Sequence, residues 1–153
     1  MTWKPSVLVV APTPSIATTV FAWLSDAGCA PVVVSSFATA KQYLDERPAV
    51  LISEVRLGEY NGLHLALRAQ SRGVPAILVG EPDSVLQREA SDLGAMYLPG
   101  PLTAQRLLAA IQPMAEVAAV EGRTWRVAAA ANVSFVSFGD RGRPQRQLTP
   151  FRS

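Results

Sequence analysis

The chain has 153 residues, a length that suits one domain with a small appendage. Hydrophobic residues make up 49% and charged residues only 17%, so a real core can be buried and bulk disorder is excluded. The net charge of +2 is too small to point to nucleic acid or a membrane surface by itself. The single cysteine, Cys29, excludes an internal disulfide and fits a reducing compartment, where it reads as a small apolar side chain. The first apolar run is too short for a signal-peptide core or a membrane span, and Pro12 and Pro14 break the chain directly after it. A cytoplasmic protein with no membrane attachment is expected.

Residues 7–10 are a continuous, β-branched apolar run, the pattern of a strand buried on both faces. The prolines end it, and Ser15 is the predicted cap of a helix with Ile16, Val20, Trp23, Leu24 and Ala27 on one face. Gly28 closes that helix. Residues 32–34 read as a strand and 37–47 as a helix capped by Ser36. A strand over 50–52, a loop over 58–62 and a helix to about Arg72 come next. Residues 76–79 form a strand, and 83–93 a helix opened by Asp83 and closed at Gly94. Residues 96–98 are a last strand, and Thr103 caps a final helix carrying Leu107, Leu108 and Ile111.

Five strands alternating with five helices through short loops require a parallel sheet covered on both faces. Right-handed crossovers make it a doubly wound α/β sheet, with 2-1-3-4-5 the expected order. In such a sheet function gathers at the carboxyl ends of the strands. Those ends fall at Ala11-Pro12, Glu54, Gly80 and Gly100.

Residues 51–63, Leu-Ile-Ser-Glu-Val-Arg-Leu-Gly-Glu-Tyr-Asn-Gly-Leu, resemble the third strand and adjoining loop of the CheY-like receiver domains of bacterial response regulators. Asn61-Gly62-Leu63 stands at that family's Asp-Gly-Leu. Gly94-Ala95, then Tyr97-Leu98-Pro99-Gly100-Pro101, is similar to its last strand and Lys-Pro turn, one residue shorter. The similarity runs from about Ser6 to Ile111 and implies the receiver fold.

The resemblance also implies a phosphoryl-transfer site, and here every group of that site is changed. The two metal-binding acids become Ala11 and Pro12, and the phosphoacceptor aspartate becomes Glu54. The hydroxyl after the fourth strand becomes Gly80, and the lysine after the fifth becomes Gly100. Mg²⁺ dehydrates reluctantly and needs carboxylates, of which only Glu54 remains, so no Mg²⁺ and no other cofactor is expected. Without metal and lysine, nothing offsets charge on a transferred phosphoryl group, and an enzyme is not expected. Ser53 is no substitute acceptor, since alternation along the strand points it away from the crevice. Glu54 reads either as a built-in mimic of the phosphorylated state or as a rim residue, paired with Arg56 or solvated. Tyr97 matches the family's switch aromatic and equally fits an amphipathic edge position. His64, the only histidine, has only Glu59 near it at ligand spacing and is not read as a metal ligand.

From Arg123 the character shifts, and the chain divides into a receiver-like unit over 1–120 and a basic, β-rich tail over 121–153. Arg123, Arg126, Arg141, Arg143, Arg146 and Arg152 face only Asp140. Strands are expected over 124–127, 132–138 and 145–148, with a turn at 139–142. Trp125 and Leu148-Thr149-Pro150 resemble the opening of an OmpR/PhoB-type winged-helix effector domain. Its recognition helix is not in the sequence, so DNA binding is expected only if a longer chain supplies one.

The expected function is a phosphorylation-independent receiver acting through a protein partner or a homodimer, in signalling or transcriptional control. The alternatives are a small-ligand module reusing the emptied crevice and a fragment of a DNA-binding regulator. Receivers of the OmpR-like kind dimerise through the fourth helix, last strand and last helix. The resemblance puts Arg88, Glu89, Asp92 and Arg106 on a candidate dimer face, and Leu108 and Ile111 join it because residues 107–111 are apolar throughout, more than one buried stripe needs.

Overall fold

The structure is a computed structural model and describes residues 2–57, 60–121 and 124–127. In chain order the elements are β1 (Thr2–Val10), α1 (Pro14–Asp26), β2 (Ala30–Val34), α2 (Phe37–Leu44) and β3 (Val50–Glu54). A two-residue pair, β4 (Arg56–Leu57) and β5 (Tyr60–Asn61), leads into α3 (Gly62–Ser71). The chain continues through β6 (Ala76–Gly80), α4 (Ser84–Asp92), β7 (Met96–Pro99), α5 (Ala104–Glu121) and β8 (Thr124–Val127).

The main sheet runs β2-β1-β3-β6-β7, all parallel. Counting only these strands, that is the doubly wound order 2-1-3-4-5. Alternation along β1 divides the core between the sheet's faces. Leu8 and Val10 join Leu51, Leu65 and Leu78 beneath α2, α3 and α4, while Val7 and Val9 join Val20, Leu24, Leu107 and Ile111 beneath α1 and α5. Ser6 is fully buried in β1, and its hydroxyl accepts from the Ala49 amide at 2.9 Å. Cys29 is buried beside α1, and burial raises its thiol pKa, as suits an inert packing residue.

Two expectations change. Helix α1 begins at Pro14 with Thr13 as N-cap, not with a Ser15 cap. A proline at the first helical position has its φ already set and lacks only an amide that the helix would not use. The first strand is also longer than its apolar run, because Thr2–Pro5 pairs antiparallel with β8. The strand expected over 124–127 is therefore attached to the receiver-like sheet. The other tail features, including the strands over 132–138 and 145–148 and the turn at 139–142, lie outside the described residues.

Candidate functional site: the crevice at the strand ends

The carboxyl ends of β1, β3, β6 and β7 meet at one pole of the sheet. Ala11 is 4% exposed, its amide tied to the Val34 carbonyl at 2.9 Å, and Pro12 is exposed. Neither offers a donor or acceptor side chain to the crevice.

Glu54 is the carboxylate at the end of β3, and Thr13 takes both of its oxygens. The Thr13 amide donates to Oε2 at 2.9 Å and the Thr13 hydroxyl donates to Oε1 at 2.8 Å. Pairing with Arg56, one of the alternatives read from the sequence, is not observed; among the described residues the salt bridge is Arg72–Asp45. The negative charge is better placed at the N-cap of α1, where helix dipole and amide both favour an anion. In turn the Thr13 hydroxyl makes no cap to its own helix. Thr13 is the site residue that sequence reading missed. Its signal was local, a threonine before the proline that opens a helix.

Ser53 is fully buried and donates to the Glu54 carbonyl at 2.8 Å, consistent with a side chain turned from the crevice. Gly62 lies against the same carbonyl: a Cβ there would sit 2.7 Å from it. His64 sits in the capping box of α3, where Asn61 Oδ1 accepts from the Leu63 amide and His64 Nδ1 accepts from the Asn61 amide at 3.5 Å. Its ring also meets Phe37 edge-on. Among the described residues no cluster of metal-ligating side chains occurs.

Across the crevice, the Gly100 amide donates to the Gly80 carbonyl at 2.8 Å, so backbone joins β6 to the turn after β7. Tyr97 turns inward from the edge strand β7 and is only 8% exposed, its ring in the core and its hydroxyl at the crevice, as both the switch position and the amphipathic edge position would have it. Its hydroxyl donates to the Glu81 carbonyl at 2.6 Å. A Cβ at Gly80 would lie 2.8 Å from that hydroxyl oxygen and 3.2 Å from Val55 Cγ2. Beside these groups is an open cleft of about 600 Å³, with Ile16 and Trp23 of α1 on one wall and Leu98 and Leu102 on the other.

Among solved structures, the signal receiver domain of an HD domain-containing protein from Pseudomonas fluorescens matches at 26% identity and TM-score 0.70, covering 80% of this chain and 94% of that one. The fold is that of a response-regulator receiver domain. The receiver domain of a LuxO-type repressor protein from Vibrio parahaemolyticus matches at 20% identity and TM-score 0.70, over 78% of this chain and 95% of that one. The chemotaxis protein CheY4 of Vibrio cholerae matches at 23% identity and TM-score 0.66, over 72% and 98%. No family profile and no curated protein matches the sequence.

One residue of the candidate dimer face needs correction. Ile111 is 3% exposed and belongs to the core beneath α1 and α5, so it is unavailable for contact. Leu108 is half-buried and packs against the same core. Arg106 stays exposed, its Nη1 donating to the Pro99 carbonyl at 2.8 Å and the Pro101 carbonyl at 3.0 Å. Arg88 and Asp92 stand exposed on α4. The exposed apolar side chains nearby are Val85 at 60% and Met96 at 40%.

Proposed function

We propose that the chain is a phosphorylation-independent receiver that acts in signal transduction or transcriptional control through protein contacts, with a second copy of itself as the simplest partner. The observation that carries this reading is the occupation of Glu54. The one carboxylate at the acceptor position is held on both oxygens by Thr13, while Ala11 and Pro12 leave it alone to bind a cation. A module that does not respond to phosphorylation must be read in the state in which it folds. The surface proposed to be read is that of α4 and β7, where Val85 and Met96 are exposed together with Arg88 and Asp92.

Light scattering on the full chain tests this. A mass above the 16.3 kDa of one copy is expected at tens of micromolar, unchanged by acetyl phosphate with Mg²⁺ and reduced to one copy by Val85→Glu with Met96→Glu. Pull-down by a partner that also requires Val85 and Met96 would support the same surface. A monomer that engages nothing through this face, or a mass that responds to acetyl phosphate, overturns the reading.

A second reading has one observation in its favour. The cleft beside Trp23 is of a size that suits a small ligand, and its walls are largely apolar. Chemical-shift changes at the Trp23 indole on screening small apolar compounds would support a ligand-binding module. Saturation without any change there would end it.

A further inference from the structure

We propose that the cleft beside Trp23 is a binding site for a small organic ammonium, its apolar body on the Trp23 side and its charge among the carboxylates of Glu54, Glu81 and Asp83. The inference deepens the ligand-binding reading above and rests on it, adding the chemical class of the ligand.

One part of the cleft is apolar. Val20 and Val79, both buried, line it together with Ile16, Trp23, Leu98 and Leu102, which are half-buried. The half-buried four keep carbon surface in contact with water, and a ligand body of several carbons would remove that contact.

The other part is acidic. Glu54, Glu81 and Asp83 line the same cleft, and among the described residues Arg56 is the one cationic side chain on its wall. None of these four joins the Arg72–Asp45 pair, the salt bridge among the described residues. Their charges converge on the Tyr97 hydroxyl. Burial raises that phenol most, Asp83 raises it further, Arg56 lowers it and Glu81 raises it again.

Two of the carboxylates are already engaged by the fold. Thr13 holds Glu54 on both oxygens, and Asp83 Oδ1 accepts from the Val85 and Leu86 amides. The helix N-termini at these two positions offset part of the charge. Glu81 differs: it is exposed, and its side chain makes no hydrogen bond or ion pair among the described residues. It is the charge left for a ligand to meet.

The sign of the cleft decides the class. An anion meets net repulsion, a neutral body gains only the burial of carbon, and an organic cation gains both terms. Mg²⁺ is a poor occupant, because the carboxylates form no metal-ligating cluster and apolar walls offer nothing to the waters it keeps. An ammonium on a carbon body can leave its charged end at the wet, Glu81 side of the cleft.

The test is a titration of the isotope-labelled full chain, read at the Trp23 indole, whose signal is assigned by Trp23→Phe. The probes share one skeleton: phenethylamine, phenethyl alcohol and hydrocinnamate. The amine, protonated at neutral pH, should shift the indole saturably and bind about tenfold tighter than the alcohol, and the carboxylate should not bind. Added salt should narrow that gap. Glu81→Gln should remove most of the preference and leave the affinity of the alcohol unchanged. Equal binding of amine and alcohol, tighter binding of the carboxylate, or a preference that survives Glu81→Gln would overturn the proposal and leave the ligand reading standing. An indole silent to all the probes would also overturn it. Silence extended to the wider screen of apolar compounds would end the ligand reading as well.

Discussion

Strand ends and helix starts meet at the same pole of this sheet, and the sequence treats them differently. At the strand ends Ala11, Pro12, Gly80 and Gly100 present no charged or hydroxyl side chain. At the helix starts the polar groups remain in use: Ser36 accepts from the Thr39 amide, Asn61 from Leu63, Asp83 from Val85 and Leu86, and Thr103 from Arg106. Helix α1 is the exception that links the two sets, because its N-cap hydroxyl goes to Glu54 instead. The caps and the core build this fold without help from the groups of a phosphoryl-transfer site. Chemistry can therefore be removed from one while the other is kept.

Substitutions that sharpen this division should fall in a clear order. The largest loss is expected in the core: Ile111→Ala removes a buried side chain beneath α1 and α5 and should cost about 2–5 kcal/mol in urea unfolding. The same measurement checks whether Ile111 lies at a contact face, since a surface residue would cost little. At a helix start, Asp83→Ala should cost about 1 kcal/mol, because two first-turn amides of α4 lose their acceptor.

Tyr97→Phe should cost about 1 kcal/mol for the bond to the Glu81 carbonyl, with a dependence on pH that identifies it. Burial, then the charge of Asp83, raises the Tyr97 phenol above its ordinary 10.0, an effect that Arg56 opposes. The folded state then keeps its proton longer than the unfolded chain does. This contribution is complete below the unfolded value and is lost as pH rises through the folded one. Stability of the wild type should thus fall above pH 10.0 more steeply than that of Tyr97→Phe. Parallel curves for the two proteins would mean that the phenol is not held as described.

Much of this was legible in the chain. The β-branched runs at 7–10, 50–52 and 76–79 and the caps at Ser36, Asp83 and Thr103 fixed the doubly wound order, because burial on both faces leaves few other arrangements. The identity of each crevice residue was equally plain. What could not be read was where their neighbours turn. Glu54 chose Thr13 over Arg56 because an amide and a hydroxyl meet it at the first turn of α1, a long-range juxtaposition that periodicity does not show. Ile111 was misplaced for a related reason. Leu107, Leu108 and Ile111 look alike in sequence, and only the seating of α5 on β1 and β3 decides which of them is covered. The pairing of Thr2–Pro5 with β8 was likewise invisible, since Trp3 alone among Thr2, Lys4 and Pro5 makes no apolar run in the first half of that strand.

The most direct test of the central claim is an amide spectrum of the full chain recorded with Mg²⁺ alone and then with beryllofluoride and Mg²⁺, alongside the intact mass after acetyl phosphate. With Glu54 held by Thr13 and no second carboxylate at positions 11 and 12, the spectrum should not move and the mass should not change. Saturable shifts at Thr13, Glu54 and Tyr97, or a stable phosphoryl adduct, would contradict it.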